Sequence, residues 1–340
     1  MHSLKNVRFA LDGEILNWSV RKSVGRGIWP KLSTQGTSNI SIAELCKRFS
    51  RAGHELRILA DGETKRWEHI SRGDLVASLR QRIRNPGVIQ QRPTDLCGPI
   101  SVLMEFARRH PARYVRGAAE LLHDGRFTPI AGNVIVAPED LRGRPVPDGD
   151  ITSADWIYAA TMRDAENFTE DVDDGEGLEG ATLLPSEVIQ WVKDLLGLDT
   201  YYYNCWSAGE MDALRNAQSD VDAGGVAILF IDNGLIHKQA DPIETPMGSV
   251  QLESEWVWMQ QRDFKPDGQG PLGHWSELWR CEHDGAIPNH WAVLLGGLAG
   301  SRSKNHFKVR HWSFGREYEN TGNSEGFGEY LYGVVAGRLP

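Results

Sequence analysis

From Cys97 to Phe106 the chain reads CGPISVLMEF, and this stretch limits the fold more than any other. Ile100, Val102, Leu103, Met104 and Phe106 put apolar side chains on most sides of a helix, so the helix belongs inside a core. Pro99 suits its first turn, where a missing N–H costs no hydrogen bond. A cysteine therefore stands where a buried helix begins. The positive end of the helix dipole and the unpaired N–H groups there both favour the thiolate, the form that attacks a carbonyl carbon. Gln91 lies six residues earlier, and its side-chain N–H could hold the oxyanion formed on attack. Buried free cysteines are more often inert packing, so this segment alone does not make a catalyst.

The rest of the chain reads as helices first and strands last. Asp12-Gly13 marks a hairpin within residues 7 to 20. Ser41 with Glu44 forms a capping box that starts a helix running to about Arg51. HELRILAD, residues 54–61, reads as a strand, and Asp74 to Arg84 as an amphipathic helix stopped by Asn85-Pro86-Gly87. Further helices are expected over Pro111–His123, Ser153–Asn167, Pro185 to Gly197 and Ala208–Ala217. Val134-Ile135-Val136 and YYYNCW, residues 201–206, are short strand candidates. GGVAILFIDN, residues 224–233, is an apolar run expected to be buried on both faces. Three more strands are expected at 290–298, 306–314 and 328–337.

Composition narrows the class. Hydrophobic residues make up 40% and charged residues 24%, as in ordinary globular proteins. No stretch approaches the roughly 18 apolar residues of a spanning helix. MHSLKNVRFALDGE lacks the apolar core of a secretory signal, so synthesis in the cytoplasm is expected. Cys46, Cys97, Cys205 and Cys281 are too scattered for a disulfide framework and include no C-x-x-C pair for zinc. The acidic stretch from Glu166 to Gly180 does not follow the spacing of a calcium loop, and Cys281 with His283 is at most half of a metal site. No metal or cofactor is expected. Residues 1–90 carry 16 Lys and Arg against 8 Asp and Glu, while the remainder carries 21 against 38. The basic residues are dispersed and accompany no nucleic-acid motif, so they read as solvated helix faces.

Gln91, five residues, then Cys97-Gly98 and an apolar helix resembles the opening signature of papain-like cysteine peptidases. The nearest form is the bacteriocin-processing peptidase of bacterial export transporters. The resemblance implies a histidine at the head of a later strand, and PNHWAVLLGGL, residues 288 to 298, offers His290 there. FKVRHWSFG, residues 307 to 315, is similar to the Asn-Ser-Trp-Gly strand of papain relatives in degraded form: Ser313, Phe314 and Gly315 fit, and Trp312 stands where Asn would. The likeness covers these three short segments.

The resemblance implies an α+β papain-like fold, with the Cys97 helix packed on a C-terminal antiparallel sheet. A small α+β unit, residues 1–86, would precede a peptidase domain, residues 87–340, carrying a Trp-rich insertion at 234–285. Cys97 would be the nucleophile, His290 the base and Gln91 the oxyanion donor. Ser313 is a candidate orienter of the imidazole. His237, His283, His306 and His311 are the competing histidines, with His311 read as strand packing. The implied activity is that of a thiol protease acting on a protein or peptide through a thioester, without cofactor. Peptidoglycan amidase, glutamine deamidase and transglutaminase-type chemistry share that intermediate. The resemblance also suggests an antibacterial toxin or effector, delivered by a secretion system and neutralised by an immunity protein. The rival reading is a non-enzymatic binding module on the same scaffold.

Overall fold

A computed structural model describes residues 7–11, 14–18, 42–92, 94, 96–166, 184–205, 209–232, 235, 290–300, 307–322, 324–328 and 330–340. Leu235 apart, the insertion expected at 234–285, with His237, Cys281 and His283, lies outside these residues, as do His306 and, beyond Glu166, the acidic stretch from Glu166 to Gly180. The fold is α+β: helices dominate the N-terminal part, and a six-stranded antiparallel sheet forms the C-terminal part. Contacts divide the chain into two compact units, Met1–Asp174 with Trp191–Leu198, and Gly175–Gln190 with Asp199–Pro340.

The first unit opens with an antiparallel pair, β1 (Val7–Leu11) and β2 (Glu14–Trp18). Then come α1 (Ile42–Asp61), α2 (Arg72–Arg84), α3 (Cys97–Arg109) and α4 (Pro111–Asp124). A two-stranded ribbon of β3 (Arg126–Phe127) and β4 (Ile135–Val136) follows, then a single turn α5 (Glu139–Arg142) and α6 (Ser153–Glu166). Residues 54–61, expected as a strand, are the second half of α1. Ala52, Leu56 and Leu59 are fully buried at helical spacing, and that stripe overrides the loose alternation of HELRILAD. Ser71 caps α2 by accepting from the Asp74 N–H at 3.0 Å, while its own hydroxyl donates to the Asp74 carboxylate at 2.6 Å. Asn85 ends α2, and a 3-10 turn, Pro86–Val88, leads on. The compact units do not divide at Pro86. Leu75, Leu79 and Ile83 of α2 are buried in the unit that also holds α3.

His110 alone separates α3 from α4, with Pro111 at the first position of α4 and Gly125, at φ +69°, closing it. An aromatic cluster locks this elbow to α6. Tyr114 and Tyr158 stack at 5.0 Å, Phe106 meets both rings edge-on, and the Tyr158 hydroxyl donates to the Tyr114 carbonyl. Gly117 leaves room for that hydroxyl; a Cβ there would collide with it.

In the second unit the strand order is β5 (Asp199–Asn204), β10 (Leu331–Arg338), β6 (Val226–Ile231), β7 (His290–Ala299), β8 (Phe307–Ser313), β9 (Arg316–Gly322). Helix α8 (Glu210–Asp222) covers one face; it runs five residues past the expected end at Ala217 because Val221 still reaches the core. Ala213, Leu214, Ala217 and Val221 pack with Leu229, Ile231, Leu294, Val309 and Val334. All six residues of β6 are buried, as its unbroken apolar run requires. A short helix α9 (Ser324–Gly328) precedes β10, and α7 (Pro185–Leu196) is shared between the units, its last residues grouped with the first. Strand β9 was not expected. Its sequence, REYENTG, is polar because it forms the edge of the sheet. Among the described residues no helix is long and apolar enough to cross a membrane.

Candidate functional site

The first unit holds Cys97 and Gln91. Cys97 is the first residue of α3 and is buried, and no side chain caps the helix through Leu96. Gln91 is also buried. Its backbone carbonyl accepts from the Thr94 N–H at 2.7 Å and the Thr94 hydroxyl at 2.5 Å, which ties Thr94 back to Gln91 ahead of the helix. The Gln90 side chain accepts from the Gln91 N–H at 3.0 Å.

What anchors this segment is Asp155, on the first turn of α6. Its carboxylate receives Arg82 Nε at 3.0 Å and Arg82 Nη2 at 2.6 Å. It also receives the Gln90 N–H at 3.1 Å and the Thr152 hydroxyl at 3.2 Å. A second tie runs from the Ile151 N–H to the Arg92 carbonyl at 2.8 Å. Asp155 is 0% exposed and Arg82 2% exposed, so neither charge has water to fall back on. Burial pushes the Asp155 carboxyl up, and the Arg82 guanidinium, the Gln90 N–H and the Thr152 hydroxyl pull it back. Burial would also lower Arg82, but its bonds to Asp155 hold it above its ordinary value. The net direction is upward, and the four donors on this one carboxylate are what favour its ionised form. No sequence signal pointed to Asp155, because its partner Arg82 lies 73 positions away.

The body of α3 carries a second buried charge group. Glu105 accepts from Arg108 Nε at 3.1 Å and Arg109 Nε at 2.9 Å. Burial would raise its carboxyl, but the two arginines outweigh that and hold it below the usual carboxylate range. Arg48 of α1 donates to the Arg109 carbonyl at 3.0 Å, at the C-terminal end of the same helix.

His290 and Ser313 belong to the second unit. His290 opens β7 opposite Ile231 and is buried. Its Nε2 lies 2.6 Å from the Ser313 hydroxyl oxygen at the end of β8. The hydroxyl can donate to a neutral imidazole or accept from an imidazolium, so it serves both proton states of the ring. Phe314 stacks on the same imidazole, centroids 4.7 Å apart and planes 15° from parallel. Phe314 has φ +45° and Gly315 has φ +71°, and together they form the two-residue turn joining Ser313 to its partner Arg316. Among the described residues Phe314 is the one non-glycine at positive φ. A bulky residue there is strained. The strain is held by burial: Phe314 is part of the apolar cluster under α8.

In the sequence Phe314 is only a motif position; its contact with His290 needs the hairpin that β9 completes. Trp312, where papain relatives carry Asn, is buried and pairs with Val293 of β7. His311 is buried within β8 and stacks on Tyr318 at 5.4 Å. Cys205, like Cys97, is buried and forms no disulfide among the described residues, and among those residues no three His, Cys, Asp or Glu side chains cluster as metal ligands. No protein-family model, curated protein or solved structure matches the chain.

Proposed function

We propose that this chain is a cysteine-dependent amide hydrolase of papain-like design, with Cys97 as nucleophile and His290 as base. The observation that carries the reading is the seat of His290. A hydroxyl fixes Nε2, an aromatic ring covers one face, and a strained turn supplies both. A histidine that only filled a strand end would need none of these. Cys97 at the uncapped start of a buried helix supports the other half.

In this mechanism the imidazole Nδ1 exchanges a proton with the Cys97 sulfur, since Nε2 is engaged by Ser313. The thiolate attacks the amide carbon, and the carbonyl oxygen takes the negative charge, held by the Gln91 side-chain N–H and by N–H groups of the helix start. The C–N bond then breaks as His290 protonates the departing amine, leaving a thioester on Cys97. His290 next takes a proton from water, the hydroxide attacks the thioester, and Cys97 leaves as thiolate. Ser313 orients the ring throughout. A protein or peptide is the proposed substrate. A toxin or effector role is the proposed setting, and it requires that producing the wild type, but not Cys97→Ala, impairs growth of the cells that make it.

The test is alkylation by iodoacetamide at pH 6, resolved by cysteine with mass spectrometry. Cys97 should react faster than Cys46, Cys205 and Cys281, since a free thiol with a pKa near about 8.5 is mostly protonated there. His290→Ala, checked for folding by circular dichroism, should slow Cys97 at least about tenfold. Unchanged Cys97 reactivity in His290→Ala would sink the dyad, and with it this function.

A further inference from the structure

We propose that the cleft between α1 and α4 binds a compact anion bearing clustered phosphates. This is a site apart from Cys97 and His290, and it does not depend on the hydrolase reading. The cleft encloses about 560 Å³ and is lined by Lys47, Arg51, His54 and Glu55 of α1 and by Arg113 and Arg116 of α4. Among the described residues its one carboxylate is Glu55, already taken by Arg116. Lys47, Arg51 and Arg113 are exposed and have no carboxylate partner among the described residues. Among the described residues, two walls thus present Lys47, Arg51 and Arg113 without carboxylate partners to one cavity, in a chain whose net charge is −9.

Like charges brought together around a concavity repel one another, and an anion seated there relieves that repulsion. A low-dielectric cleft also focuses the field on it. The first turn of α4 adds backbone N–H groups at Ala112 and Arg113 with no side-chain cap, the geometry that accepts phosphate oxygens. Two properties favour phosphate over carboxylate. Each phosphate monoester carries about −1.5 to −2 and three acceptor oxygens, matching several cations in a small volume. An acidic peptide spreads single charges along a strand at roughly 3.3 Å per residue and would overrun a cavity of this size. The arginine forks suit phosphate oxygens two at a time. His54, an exposed lining residue, adds a further donor.

Inorganic tripolyphosphate titrated into the full chain by calorimetry at 150 mM NaCl is the direct probe. Saturable one-to-one binding is expected. Arg51→Gln and Arg113→Gln should each weaken it about five- to tenfold. Arg57→Gln, on the same helix but outside the cleft, makes the same change in net charge and should leave affinity within about twofold. The phosphates could belong to a soluble molecule or to a lipid headgroup. Binding of tripolyphosphate alone supports the first. Binding only to vesicles carrying a bisphosphorylated inositol lipid, lost in Arg51→Gln, supports the second. No saturable binding in either arm overturns the proposal. So does equal weakening by Arg57→Gln, or tighter binding of an oligoglutamate of matched charge.

Discussion

Replacing His311 with phenylalanine should make the second unit less sensitive to acid. His311 is 0% exposed in the middle of β8, opposite Leu294 of β7 and Tyr318 of β9. Neither ring nitrogen has a hydrogen-bond partner among the described residues, and burial holds its pKa at about 4. An unfolded chain would protonate the same ring near about 6.5. The folded value is the lower one, so between these two pH values the unfolded state binds the extra proton. Stability from the neutral ring is therefore fully present above pH 6.5 and is lost as pH falls toward 4. At ~1.4 kcal/mol per unit, the full interval is worth about 3 kcal/mol, of which about 2 kcal/mol disappears between pH 7 and pH 5. His311→Phe keeps a ring against Tyr318 and carries no proton. Urea unfolding followed by circular dichroism at both pH values should show the wild type losing about 2 kcal/mol more than the variant. His110, which burial also holds at about 4, titrates in both proteins and cancels in the comparison. His311→Leu repeats the test without the bulk of a larger ring. Equal losses in wild type and both variants would show that His311 is not buried as a neutral ring.

Other changes probe the remaining supports. Asp155→Ala strands the Arg82 charge in the core and should lower stability by about 3–5 kcal/mol, read from the urea midpoint, whereas Asp155→Leu with Arg82→Leu should cost much less than either single change. Phe314→Gly should be about 1 kcal/mol more stable than Phe314→Ala, because alanine retains the positive-φ strain that glycine does not feel. Both variants should slow alkylation of Cys97 at pH 6, since the imidazole loses the ring it stacks on. Gly225→Ala should destabilise by at least about 1–3 kcal/mol; the added methyl would collide with the Gly337 carbonyl and sit 2.8 Å from the Asp220 carbonyl, both backbone atoms that cannot swing aside.

Local chemistry was enough to read much of the chain. Pro111 and Gly125 bracket α4, Pro185 and Gly197 bracket α7, and an unbroken apolar run marks β6 as a buried central strand. Each signal acts within a few residues, through a fixed φ, a missing donor or a burial period, and so survives in a bare sequence. The order of helices before strands, and a cysteine opening a buried helix, follow from the same short-range rules.

What tertiary contact alone decided lies where partners are far apart or where two local preferences compete. Residues 54–61 alternate loosely as a strand would, yet Ala52, Leu56 and Leu59 bury one helical stripe, and packing against neighbouring helices selects the helix. Arg82 and Asp155 carry no mark of their pairing until α2 and α6 come together around them. The polar strand β9 exists because β8 offers it an open edge, and that hairpin in turn forces Phe314 into a positive-φ turn against His290. Sequence encodes what each residue prefers; only the folded chain determines which distant groups share a buried space, because that depends on how many preferences can be satisfied at once.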